Sequence, residues 1–230
     1  MPGIGEIKAS GRAEISSDMI RTSGSCELPG GIRVRDLDSS GSLTIAGDAE
    51  AETMVLSGSA SIHGGVKFTQ LSKSGSLRVE GDADGETMEV SGSTRVEGQV
   101  RVRDLHSSGS ISADRGIESD GNVKVKGCIR AGGVKAGTLE LIMGNSVSRV
   151  KGGIEADYIR IEPKGWGEEG ELVADWVKGR EIHMENVECD TVSGESVYIG
   201  EGCRVSGKVV YTHEVHISPK AFLKESPQKS

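Results

Sequence analysis

Six Ser-Gly-Ser triplets recur at a fixed interval of 17 residues, centred on Gly24, Gly41, Gly58, Gly75, Gly92 and Gly109. A period of this size marks a solenoid, in which one coil cannot bury its apolar face alone and must stack on its neighbours. Numbering each repeat from its central glycine resolves the coil. Offset 2 carries Leu43, Ala60, Leu77, Thr94 and Ile111, and offset 4 carries Ile45, Ile62, Val79 and Val96. Offset 6 returns to glycine at Gly30, Gly47, Gly64, Gly81 and Gly98. Apolar residues at alternate positions mean strand, not helix. The expectation is an all-β parallel β-helix of about 17 residues per rung, with three short strands per coil and glycine at the bends.

A longer period lies inside the first. Offset 8 alternates large and small (Ile32, Ala49, Val66, Ala83, Val100), and so does offset 10 (Val34, Ala51, Phe68, Gly85, Val102). Offset 15 alternates in the opposite phase, as Ser39, Leu56, Lys73, Val90 and Ser107. The unit is therefore two unlike coils, 34 residues. Because interiors pack at near-crystalline density, Leu56 and Val90 are expected to fill space left by Ala49, Ala51, Ala83 and Gly85. Charge alternates too. Offset 9 reads Arg33, Glu50, Lys67, Asp84, Arg101, and offset 11 reads Arg35, Glu52, Thr69, Glu86, Arg103. In-register stacking would set opposite charges side by side at both offsets.

Beyond Gly109 the next bend is expected at Gly121. Strand-like pairs continue through Val123/Val125, Leu139/Leu141, Ile154/Ala156 and Ile159/Ile161, then resume at Ile182/Met184, Val197/Ile199 and Val215/Ile217. The expected organisation is an N-terminal arm at 1–9, a β-helix at 10–162, a loop at 163–171, a C-terminal β-helix section at 172–218 and a flexible polar tail at 219–230.

Composition narrows the function. Only 35% of residues are hydrophobic and 3% aromatic, thin for a globule but sufficient for a narrow solenoid core. A formal charge of −8, with Lys and Arg dispersed, argues against nucleic acid as a partner. Cys26, Cys128, Cys189 and Cys203 form no CxxC pair and read as reduced thiols. The opening MPGIGEIKAS is too polar for an export signal or a membrane span, so a cytoplasmic location is expected.

Catalytic motifs fail on inspection. Gly165-Trp-Gly-Glu-Glu-Gly170 matches GxGxxG, but Glu168 and Glu169 would repel a pyrophosphate and no amphipathic helix follows. His213 and His216, with Cys189 or Cys203, could suggest a metal, but strand positions three apart point to opposite faces. No GxSxG, HExxH or P-loop occurs. The glycine spacing of six imitates hexapeptide acyltransferases without their regular aliphatic pattern. Neither enzyme activity, cofactor nor metal is expected.

Ser91-Gly-Ser-Thr-Arg-Val-Glu-Gly-Gln-Val-Arg-Val, within the stretch 57–113, resembles the bactofilins, a family of polymer-forming cytoskeletal proteins. The segment Val187 to Tyr211, with Val197-Tyr-Ile-Gly-Glu-Gly-Cys203, is similar to the C-terminal part of longer members. The resemblance covers roughly residues 10–217 and implies a right-handed helix that assembles end to end into filaments without nucleotide. Open ends of a stack expose unpaired backbone and a slice of core. The candidate contact residues are Ile7, Ala13 and Ile15 at one end and Val209, Tyr211, Val215, Ile217 and Phe222 at the other. The expected partner is the protein itself, with other scaffold or cell-envelope proteins beside it. Two other readings are a non-polymerising adaptor for a protein or glycan, and, less favoured, a carbohydrate-active enzyme.

Overall fold

A computed structural model describes residues 8–165 and 170–230. The described residues contain strands and no helix, arranged as parallel stacked coils that make the chain a β-solenoid. It divides into two compact units, residues 1–115 and 116–230.

The first unit holds β1 (Lys8–Ile15), β2 (Met19–Pro29), β3 (Ile32–Ala46), β4 (Ala49–Ile62), β5 (Val66–Val79), β6 (Ala83–Val96) and β7 (Gln99–Ala113). From β2 to β7 each strand pairs in parallel with the next, and Gly24, Gly41, Gly58, Gly75, Gly92 and Gly109 form one continuous column. Each coil is a single strand bent through the Ser-Gly-Ser corner, not three short ones. The reason lies in those glycines, whose φ values run from 91° to 131°. Left-handed backbone turns the chain while the ladder continues on both sides. A Cβ on Gly58 would overlap the carbonyl oxygen of Gly41, so the column also depends on bare backbone.

The inward columns form the core. Leu56 and Val90 are buried as expected, but the space beside Gly85 is taken by the ring of Phe68 from the adjacent coil. Offset 15 is an inward column throughout. Thr22, Ser39, Lys73 and Ser107 are buried there, and Thr22 Oγ1 donates to Ser39 Oγ at 2.9 Å. Lys73 Nζ donates to the carbonyl oxygens of Gly58 and Ser74, each at 2.6 Å.

The two charge columns behave differently. At offset 9, Arg33 pairs with Glu50 at 3.1 Å and Arg101 with Asp84 at 2.6 Å. At offset 11 the direct bonds run along the chain, Arg35 to Asp36 and Arg103 to Asp104, while Glu52 on the next coil adds a weaker attraction on Arg35. Offset 11 is a corner, where the register passes from Val34↔Ala51 to Asp36↔Thr53 and skips Arg35 and Glu52. Side chains splay outward at a corner and turn to the nearest counter-charge.

The expected β-helix does not begin as a parallel coil at residue 10. β1 lies antiparallel on β2, from Lys8↔Glu27 to Ile15↔Ile20, with Gly11 opposite Gly24. Chain reversal at Ser16, whose amide donates to Met19 O at 2.8 Å, returns the strand along the edge it has just left.

The second unit holds β8 (Gly116–Ser119), β9 (Asn122–Ala131), β10 (Val134–Met143), β11 (Ser148–Val150), β12 (Ile154–Pro163), β13 (Leu172–Met184), β14 (Val187–Ile199), β15 (Arg204–Val205), β16 (Val209–Ile217), β17 (Phe222–Leu223) and β18 (Gln228–Lys229). An inward column runs Val123, Leu139, Ile159, Ile182, Val197, Val215. The left-handed glycines near its start are Gly116 and Gly127, not Gly121, which sits in the break between β8 and β9. β12 and β13 pair in register across the segment 163–171, so stacking resumes after it. The segment 219–230, expected to be disordered, instead pairs through β17 on β15 and β18 on β16. Backbone bonds hold it, including Phe222 N–H to Cys203 O at 2.8 Å and Ser230 N–H to Tyr211 O at 2.9 Å. Ladder pairing at an edge needs no apolar composition.

Candidate self-association surfaces

Two edges carry the candidate contact residues. On β1, Ala13 and Ile15 face the same way as the inward residues of β2, since they pair with Thr22 and Ile20. Both are nevertheless exposed, Ile15 to 39%, because among the described residues no strand covers the outer edge of β1. Ile7 lies outside the described residues. On either side of Ala13, Arg12 and Glu14 form an exposed ion pair.

The second edge belongs to β16. Its inner side pairs with β14, while on its outer side β18 meets only Val210 and Tyr211. Val215 and Ile217 are half-buried at this edge, Tyr211 is half-buried and paired with Lys229, and Phe222 is 60% exposed. Val209 does not belong with them: it is fully buried and serves the core.

An outward column of rings leads to the same edge. His183 stacks on Tyr198 with centroids 4.0 Å apart, and Tyr198 on His216 at 5.1 Å. Sequence reading missed this stack because the coils here differ in length and the three rings share no fixed interval. His213 points elsewhere, with Nδ1 3.8 Å from Glu195. Among the described residues no group of three His, Cys, Asp or Glu side chains could hold a metal ion. The GxGxxG segment falls mostly outside them.

Electrostatics elsewhere is structural. Asp82 Oδ1 accepts the Gln99 N–H at 2.9 Å, and Arg101 donates to Oδ2 at 2.9 Å; together they hold the Asp82 carboxyl below its ordinary range. Asp48 Oδ1 accepts the Gly65 N–H at 2.7 Å in the same way two coils earlier. All four thiols are free and buried. Burial pushes Cys189 up to about 12, helped by Cys203, and pushes Cys203 up to about 11. A groove of about 460 Å³ crosses the second unit, floored by Gly179 and Gly194 and flanked by Glu155, Lys178, Arg180 and Glu195. Four of its charges are paired, Lys178 with Glu155 at 3.0 Å and Arg180 with Glu195 at 3.6 Å, and Lys135 and Asp157 also line it.

A protein of Bacillus subtilis (strain 168) carrying the name "Uncharacterized protein YhbF" is similar to this chain, 29% identical over 94 residues, which is 40% of each protein. The chain thus matches well under half the length of that curated relative. No family model and no solved structure matches the chain. Among the described residues no helix is long and apolar enough to cross a membrane.

Proposed function

We propose that this protein is a non-enzymatic, bactofilin-like cytoplasmic scaffold that self-associates through the ends of its coil stacks, without nucleotide, into filaments. The observation that carries this reading is the outer edge of β16. Four residues from Glu214 to Ile217 have a ladder partner on one side only among the described residues, beside an exposed Phe222. An unpaired edge with adjoining apolar surface is a template for another strand. Other scaffold or cell-envelope proteins would then be secondary partners of the assembled form.

Negative-stain microscopy of the purified protein tests it. Filaments are expected, and they should shorten in Ile217→Asp and Phe222→Asp. Single short particles at high protein concentration across a range of salt would overturn the reading. A non-polymerising adaptor is the second reading, and the groove over Gly179 and Gly194 favours it. It predicts a discrete species whose partner binding is lost on changing Arg180 or Lys178.

A further inference from the structure

The outer edge of β1 makes an unusual demand on whatever pairs with it. Throughout the first unit, the strand facing a corner glycine supplies a glycine of its own, from Gly11 opposite Gly24 to Gly92 opposite Gly109. A Cβ at these positions would overlap backbone of the neighbouring strand. Gly11 has φ 136° and its own would-be Cβ is aimed at Ser23 of β2, so a further strand laid on β1 must follow the same bend, which glycine does most readily. β16, the edge strand of the other candidate surface, reads VVYTHEVHI and has no glycine to offer.

β1 itself meets the demand. Its sequence is a near-palindrome about Gly11: Ser10 mirrors Arg12, Ala9 mirrors Ala13, Lys8 mirrors Glu14, and the symmetry extends in sequence to Ile7 and Ile15. We infer that β1 is the contact strand of a two-fold homodimer, pairing antiparallel with β1 of a second copy in the register that sets Gly11 opposite Gly11. That register keeps the glycine column unbroken. Lys8 of each copy faces Glu14 of the other, giving two opposite-charge pairs by symmetry. Ala9 and Ala13, which face inward as partners of Cys26 and Thr22, meet each other and not a charge. The Arg12–Glu14 pair within each strand stays on the solvent side with 81% of the Arg12 side chain exposed, and Ser10 opposite leaves it room. A one-residue slip would put Arg12 against Gly11 and Lys8 against Ile15, so the register is specified.

This deepens the end-joining reading by naming which end meets which. A closed two-fold contact also stands without filaments, so the two can fail separately. Charge reversal provides the test. Lys8→Glu sets the introduced carboxylate against Glu14 of the other copy, twice by symmetry. Glu14→Lys likewise sets the introduced ammonium against Lys8, twice. Each variant alone should dimerise about tenfold more weakly than the parent in sedimentation equilibrium. Their equimolar mixture should recover as a heterodimer by native mass spectrometry. In that heterodimer the two introduced charges are opposite and face each other, and the remaining Glu14 of one copy faces the remaining Lys8 of the other. Recovery in the mixture separates an edge contact from simple loss of folding. Unchanged dimerisation of either variant, or a mixture as weak as its components, would overturn the β1 contact. Filaments that persist at full length in both variants would also overturn it while leaving end-to-end assembly through β16 intact. A parent protein that stops at dimers, weakened in both variants and recovered in their mixture, would support the β1 contact and sink the filament reading.

Discussion

The ring of Phe68 lies where a side chain on Gly85 would have to go, and the two residues face each other across the β5–β6 ladder. One coil has given up its side chain to accommodate the other's. Gly85→Ala should therefore destabilise the first unit by about 1–3 kcal/mol through overpacking. In a Phe68→Leu background the same change should cost less, leaving a coupling energy of about 1 kcal/mol or more. Chemical denaturation of the four proteins measures it. Additive effects would show that the two positions do not share one space.

Corner glycines should separate into two classes. Gly58 combines φ 91° with a would-be Cβ that overlaps Gly41, whereas Gly31 has φ 76° and open space around it. Gly31→Ala carries only left-handed strain, about 1–2 kcal/mol. Gly58→Ala adds a backbone collision and should cost at least about 3 kcal/mol. Equal melting temperatures for the two variants would contradict the stacking described.

Lys73 gives a pH signature of known sign. Burial lowers its pKa from the ordinary 10.5, so the folded chain releases this proton at lower pH than the unfolded chain. Where the unfolded state holds more protons, stability rises with pH. Lys73→Met removes that slope. The variant should be more stable than the parent near neutrality, by up to about 2 kcal/mol. The difference should shrink as pH approaches 10.5. Urea titrations at neutral and alkaline pH decide it. A variant clearly weaker near neutrality would mean that the bonds to Gly58 and Ser74 outweigh the cost of burying the ammonium.

Cys189 and Cys203 should resist alkylation. With their thiols pushed up to about 12 and about 11 by burial, the reactive thiolate is scarce in mildly alkaline buffer. Peptide mapping after an iodoacetamide pulse should find both unmodified in the native protein and fully modified in denaturant. Stoichiometric labelling of the native state would refute their burial.

The features legible in the sequence were those that repeat. Gly24 to Gly109 announce the coil because one backbone requirement recurs at one interval. Arg33, Glu50, Asp84 and Arg101 announce in-register stacking because they lie on a flat face. The bonds from Arg35 to Asp36 and from Arg103 to Asp104 were not legible, because alternation in sequence says nothing about a corner, where neighbours in the chain lie closer than neighbours in the stack. Lys73 stood in plain view in a column of Ser, Leu and Val, yet its burial depended on two carbonyl oxygens that no residue type reveals. Direction was hidden as well. Lys8–Ile15 has the right glycine for a coil, but parallel and antiparallel pairing share the same alternation. Of the candidate surface residues, Ile15, Ile217 and Phe222 lie at strand edges, while Val209 is buried, since the strand carrying it is edged only beyond Tyr211.

The two-coil alternation also governs how this protein can change in length. Removing the single coil 59–75 would bring Glu50 against Asp84 and lay Ala49 and Ala51 over Ala83 and Gly85, a thin core with like charges on its rim. Inserting two coils would restore every Phe68–Gly85 fit and every Arg–acid contact at the new junctions. The first unit is therefore a ruler graduated in pairs. Relatives with longer or shorter arrays of this type should differ by 34 residues at a time.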